Sequence, residues 1–331
     1  MSGALWIDTQ VEALRDLSPT VREITLRASG GALAWTVGSH LRVQVRHADG
    51  RQDERRYSLL GLPGGEVYRV AVKRAEPSRG GSAFMWRLRV GDHLHTQAPH
   101  NHFELPLTTP HALLLAGGIG ITPIYGMALA LAARRAEVSM RYAVRDESEA
   151  LFADELRAAL GERLALFFDA AGQRIDIDAE IAALHPQGQL LVCGPVPLLQ
   201  AVQAAWLRSK RPPQRLRFET FGSSGALPTL AFRVEVPRHG VNVEVPADRS
   251  LLEVLEAAGV PMLHDCKRGE CGLCAVDILD CAGQIDHRDM FFSAEEKRRN
   301  LRLCTCVSRL SGGTLVVDSA YRSEPATMPS L

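Results

Sequence analysis

Residues 264–276 read HDCKRGECGLCAV. Three of the chain's seven cysteines, Cys266, Cys271 and Cys274, stand here in C-x4-C-x2-C order, with Gly269 and Gly272 between them. A fourth thiol lies farther on, at Cys304 or Cys306. Four thiolates in that pattern have the plant-type spacing of a [2Fe–2S] cluster. The spacing has a geometric reason. A tight loop must wrap its backbone around the cluster so that amide N–H groups point at the sulfurs, and glycine permits the conformations and the close approach that a side chain would obstruct. A structural zinc site shows two paired knuckles, whereas here the far side offers only Cys304 and Cys306.

Around the loop the sequence describes a small domain at 232–320. Two alternating runs, AFRVEVP and VNVEVP, precede a helix expected at Ser250 to Ala258, and a last strand, TLVVD, follows the cysteines. Upstream, GSSGALPTL reads as an exposed linker, 223–231. Before it, from 109 to 222, apolar strands such as ALLLAGG, EVSMRYAV, LALFFDA and QLLVCG alternate with helical patterns. That rhythm predicts a parallel sheet with helices on its faces. Residues 1–108 hold short alternating runs punctuated by glycine and proline, which predict an antiparallel β-barrel with one helix around Ser82 to Arg89. Residues 321–331 form a tail. The expected architecture is multidomain: a barrel, an α/β domain and an α+β domain of β-grasp type.

Composition narrows the partners. The 38 basic and 38 acidic residues leave no net charge, which argues against binding nucleic acid through phosphates. The start, MSGALWIDTQ, lacks the basic and apolar regions of a secretory signal, so a cytoplasmic protein is expected. Ala112 to Ala133 carries no charge, but Gly117, Gly118, Gly120 and Pro123 divide it into strand, turn and helix, and no membrane contact is expected. Seven cysteines in a reducing compartment point to metal or redox chemistry in place of disulfides.

A one-electron centre needs an electron source, and the other blocks supply candidates. LLLAGGIGITPIYGM places Gly117, Gly118 and Gly120 at a strand-to-helix junction, where a pyrophosphate would meet backbone amides. LLVCGPVPLLQAV repeats the device at Cys193 and Gly194. Neither is the G-x-G-x-x-G fingerprint, and either alone is a packing turn. After the strand EVSMRYAV, Arg145 is suited to a 2′-phosphate and Asp146 would repel one, which favours NADH. In DHLHTQAPHNHFEL, His93 and His95 share a strand face, and the segment reads as a solvated barrel loop. EEKRRNLR reads as a solvated helix or a partner contact.

Taken in order with ERRYSLLG at residues 54–61, these motifs resemble the ferredoxin–NADP reductase superfamily, and more narrowly the phthalate dioxygenase reductase and vanillate demethylase reductase group. The resemblance spans nearly the whole chain. It implies FMN, with FAD the alternative. It places Arg55 at the flavin phosphate, Tyr57 on the ring and Ser58 near its reactive nitrogen. Val72, Lys73, Gly81 and Ser82 would border the flavin. Gly118, Gly120, Thr122 and Pro123 would hold the nicotinamide nucleotide, with Cys193 and Gly194 beside its ring and Phe221 covering the flavin. Residue counting favours Cys304 as fourth cluster ligand, while the likeness of TCV to the closing segment of plant-type ferredoxins favours Cys306, which is the assignment adopted. The implied activity is that of a monomeric reductase component passing electrons from NADH to a terminal oxygenase that carries a Rieske cluster. Two other readings are an FAD-containing subunit of a stable oxidoreductase complex and a carrier or sensor without NADH oxidation.

Overall fold

Strands in the N-terminal segment alternate inward aliphatic with outward polar residues, as Ser39–Arg46 shows: Leu41, Val43 and Val45 are buried while Arg42, Gln44 and Arg46 face outward or lie at the rim. The computed structural model describes residues 5–76, 80–221 and 227–319. By internal contacts the chain divides into two units, Met1–Glu219 and Thr220–Leu331. The expected barrel and α/β domain therefore share one unit. Gly222, residues 223–226 of the expected linker and the 321–331 tail lie outside the described residues.

The barrel consists of β1 (Trp6–Ser18), β2 (Val21–Ala28), β3 (Ser39–Arg46), β4 (Gln52–Ser58), β5 (Val67–Lys73), α1 (Gly81–Arg87), β6 (His93–Gln97) and β7 (His100–Asn101). Its order is β4-β3-β6-β1-β2-β5, all antiparallel, with β7 added against β3. The two ends of this path meet. Leu59 bridges Val70, and the Leu60 amide donates to the Arg69 carbonyl at 2.8 Å. Irregularities in the β1–β2 register at Val11/Ala13 and Asp16/Ser18 bend the long first strand. Met85 of α1 joins the barrel core, so the helix packs on it.

The second half of this unit alternates strand and helix: β8 (Ala112–Gly117), α2 (Ile121–Ala133), β9 (Val138–Val144), α3 (Ala153–Leu160), β10 (Leu164–Phe168), α4 (Ile177–Ala183), β11 (Gln189–Cys193), α5 (Val196–Arg208) and β12 (Leu216–Glu219). All five strands are parallel, in the order β10-β9-β8-β11-β12. The order reverses between β8 and β11, and that is where an open α/β sheet leaves a crevice at its strand ends. Packing explains why Ala112 to Ala133 is free of charge. β8 is buried along its whole length, and α2 lies in a core that includes the barrel residues Val21, Val37 and Leu60. Its Gly126 approaches the barrel so closely that a Cβ there would lie 2.3 Å from the Gly61 carbonyl oxygen. Among the described residues no helix is long and apolar enough to cross a membrane.

The C-terminal unit holds β13 (Phe232–Val236), β14 (Val241–Val245), α6 (Leu251–Ala257), β15 (Ala275–Ala282), β16 (Ile285–Asp286), α7 (Ala294–Arg299), β17 (Arg302–Cys304), β18 (Arg309–Leu310) and β19 (Thr314–Asp318). Its main sheet runs β14-β13-β19-β15-β17, with β13 and β19 parallel and the other neighbours antiparallel, the β-grasp arrangement. A capping box between Ser250 and Glu253 starts α6, which buries Leu251, Leu252, Val254 and Leu255. The cysteine loop fills the connection from α6 to β15.

Candidate redox centre

The loop is wound around a sulfur. Cys266 Sγ accepts the amides of Arg268, Glu270 and Cys271, each at 3.4 Å. Lys267, Gly269 and Gly272 take left-handed backbone conformations, with φ of 49°, 75° and 73°, which turns the amides inward. Both glycines are also pressed from outside. A Cβ on Gly269 would lie 2.8 Å from Asp289 Cα, and one on Gly272 would lie 2.3 Å from the Phe291 ring.

The thiols fall into a pair and a trio. Cys266 shares a hydrogen bond with Cys271, and Cys274 accepts from Cys304 and Cys306. Those two donors hold the Cys274 thiol down to about 3, and the same bonds, with burial, push Cys304 and Cys306 up. Burial raises Cys266 and the three amides oppose it. Among the described residues no group of three or more Cys, His, Asp or Glu side chains is placed to hold a single metal ion. A two-iron centre takes two thiolates on each iron, so the Cys266–Cys271 pair, with Cys274 and one of its two partners, fits such a cluster. Cys304 and Cys306 differ in their surroundings. Cys304 is fully buried on β17, opposite Ala275. Cys306 interacts with Cys266 as well as Cys274 and accepts the Gly269 amide.

In the barrel, Arg55 and Tyr57 stand two residues apart on β4, and Ser58 follows, buried opposite His40. The Arg55 stem crosses the start of α1: a Cβ on Gly81 would lie 2.5 Å from Arg55 Nε, and one on Gly80 would lie 2.2 Å from His47 Nδ1. Only glycines fit beneath these two side chains. Asp53 joins them, its Oδ2 standing 2.5 Å from Arg55 Nη1 and 3.1 Å from His47 Nε2. Burial raises the Asp53 carboxyl, but Arg55, the Glu54 amide and His47 outweigh it and hold the group below its ordinary value. Burial pushes the Tyr57 hydroxyl far up, so the ring is neutral. Val72 is a core residue, Lys73 places its ammonium 3.1 Å from Glu149, and Ser82 Oγ accepts the Ala75 amide at 3.2 Å. A cradle that any Cβ would fill, beside an arginine fork, suits a phosphate-bearing flavin.

At the sheet's reversal the ends of β8 and β11 are pressed together. A Cβ on Gly120 would lie 2.2 Å from the Cys193 carbonyl oxygen, and one on Gly194 would lie 3.1 Å from Gly117 Cα. Gly118 has φ 52° with open space around it. The Thr122 hydroxyl donates to the Ile119 carbonyl at 3.0 Å, and Pro123 sits in the first turn of α2, where a missing amide hydrogen costs nothing. Cys193 is wholly buried in the sheet core, and its carbonyl forms the floor under Gly120. After β9, the exposed Asp146 accepts the Ser148 amide and hydroxyl at 3.0 and 2.6 Å, bonds that lower its carboxyl. Phe221, after β12, is 41% exposed, so its ring is not ordinary core packing.

The model of the family described as "2Fe-2S iron-sulfur cluster binding domain" matches residues 234–311, and that of "Oxidoreductase NAD-binding domain" matches 114–204. The chain is 38% identical to the heme-dependent oxidative N-demethylase beta subunit of Ectopseudomonas mendocina, over 94% of this chain and 98% of that protein. It is 34% identical to the carnitine monooxygenase reductase subunit of Escherichia coli, over 96% and 100%. The chain belongs to the family of iron–sulfur reductase subunits of oxygenase systems. A solved phthalate dioxygenase reductase, titled a modular structure for electron transfer from pyridine nucleotides to [2Fe-2S], superposes with a TM-score of 0.76 at 30% identity, covering 96% of this chain and 98% of that one. The reductase is thus an oxidoreductase that couples an NAD-binding domain to a [2Fe–2S] domain.

Sequence reasoning missed several residues at these sites. Asp53 carried a local signal, since it precedes Arg55 by two on the same strand and shares its face. His47, Asp289 and Phe291 carried none, because their partners are distant in sequence. Among the histidines, His93 and His95 do lie exposed on β6, but the group that forms is another one: His40, His100 and His102, with ring centroids 4.3 to 6.1 Å apart.

Proposed function

We propose that the reductase oxidises NADH and feeds electrons singly to a separate terminal oxygenase that carries a Rieske cluster. FMN is held by Arg55, Tyr57, Ser58, Gly81 and Ser82, and the [2Fe–2S] centre by Cys266, Cys271, Cys274 and Cys306. A flavin supplies the exchange between the paired electrons of a hydride and the single electrons that an iron–sulfur centre carries.

The chain's own residues bind, orient and shield. Arg55, steadied by Asp53, presents a guanidinium fork to the phosphate across Gly81. Tyr57 offers a neutral ring for stacking. Gly118 leaves the crevice beside β8 open to a nucleotide, Gly120 and Thr122 shape the turn that borders it, and Asp146 disfavours a 2′-phosphate there. Phe221 supplies an exposed aromatic face. The observation that carries the proposal is the gathering of Cys266 with Cys271, and of Cys274 with Cys304 and Cys306, around a loop whose amides turn inward.

Anaerobic titration of the purified protein with NADH is the test. Stepwise bleaching of flavin and cluster absorbance, with FMN released on denaturation, is the expected result; a colourless protein, or one whose colour NADH leaves unchanged, overturns it. A haem-containing acceptor is the second reading, favoured by the N-demethylase relative. Stopped-flow mixing of the reduced protein with a Rieske-type and with a haem-type terminal component separates the two readings by which acceptor spectrum changes.

A further inference from the structure

Asp289 is a buried carboxylate beside the cysteine loop, and its side chain is fully sequestered from solvent. Its Oδ2 accepts the Phe292 amide at 2.9 Å and its Oδ1 the Ser308 hydroxyl at 3.1 Å, two residues beyond Cys306. On the other side its Cα packs on Gly269, whose carbonyl accepts the Met290 amide at 2.8 Å. Gly269 in turn donates its amide to Cys306. Gly269 therefore links Asp289 to a cluster thiol in one step, and Ser308 anchors its Oδ1 two residues along the chain from the same cysteine. Burial alone would neutralise it, yet those hydrogen bonds, with His287 and Lys297, keep the carboxyl below its ordinary value.

The opposing charge comes from the run EEKRRNLR. Lys297 turns inward from α7, its side chain only 17% exposed; its Nζ lies 3.7 Å from Asp289 Oδ2 and donates to the Asp289 carbonyl. His287 Nδ1 lies 3.8 Å from Asp289 Oδ1. Reduction adds an electron to the cluster, so a nearby anion opposes it and a nearby cation favours it, most strongly where water is excluded.

We infer that Asp289 and Lys297 are positioning residues whose opposed charges set the reduction potential of the [2Fe–2S] centre. The inference rests on the assignment of Cys266, Cys271, Cys274 and Cys306 as ligands. Redox titration of the full-length protein, followed by the cluster's visible and EPR spectra, is the experiment. Asp289→Asn, which keeps the shape and an acceptor oxygen, raises the midpoint potential; Lys297→Met lowers it; the double variant returns toward the parent, and Lys297→Arg stays near it. Shifts of the same sign in both single variants, or no shift in either with the cluster retained, overturn the inference. Should Asp289→Asn lose its cluster, Lys297→Met decides, and an unchanged potential there overturns the inference. Absence of a cluster from the parent protein sinks the ligand assignment instead.

Discussion

The loop from Cys266 to Cys274 and the paired strand ends at Gly117–Gly120 and Cys193–Gly194 each gather a few residues into one place, by different means. The loop carries three of its four thiols within nine residues and folds its own amides onto Cys266. At the strand ends, nothing local brings Gly120 to the Cys193 carbonyl; the order of a five-stranded sheet does. The first site is a property of spacing and the second of topology. Damage should therefore stay confined in one and spread through the fold in the other.

The sharpest way to break this contrast is at the fourth thiol. Cys306→Ser is expected to abolish the cluster's share of the visible absorbance and the bound iron while the NAD-binding half keeps its fold; Cys304→Ser should retain both. The opposite result, read by iron content and circular dichroism, would exchange the two assignments. Next in size is Arg55→Ala. Loss of a charged hydrogen bond to phosphate costs about 1.5–3 kcal/mol, roughly tenfold or more in FMN affinity. Riboflavin, which has no phosphate, should bind parent and variant alike, and an equal loss for both flavins would remove Arg55 from the phosphate.

The topological site gives smaller, more diffuse effects. Gly120→Ala places a methyl against the Cys193 carbonyl, and overpacking of this kind costs about 1–3 kcal/mol of stability. Gly118→Ala has open space and pays only for its left-handed backbone, about 1 kcal/mol. Denaturant unfolding should rank the two in that order, and equal losses would show that the Cys193 contact is unimportant. Least of all, Asp146→Ala should narrow the preference for NADH over NADPH by about two- to fivefold, as suits an exposed charge. An unchanged ratio of kcat/KM removes Asp146 from cofactor choice.

How far the sequence could be read follows the same division. The cluster spacing, the period-two strands and the strand–helix alternation are local patterns, and each has its counterpart in the elements observed. The charge-free run at Ala112–Ala133 was legible as strand, turn and helix because glycines and a proline interrupt it. What stayed hidden is made by contacts between distant segments. Lys297 sits in a run that looks solvated, and its inward turn is visible only in its contact with the distant Asp289, which packs on Gly269. The expected boundary near residue 108 is likewise absorbed into one unit, because α2 buries itself against the barrel.

That burial has a consequence at Gly61 and Gly126. With no side chain on Gly126, helix α2 meets the barrel main chain to main chain. Such a seam is a mechanical stop: a contact made of main chain has no rotamer that could widen it. A single methyl added at Gly126 would act there as a shim, prising the helix from the barrel wall.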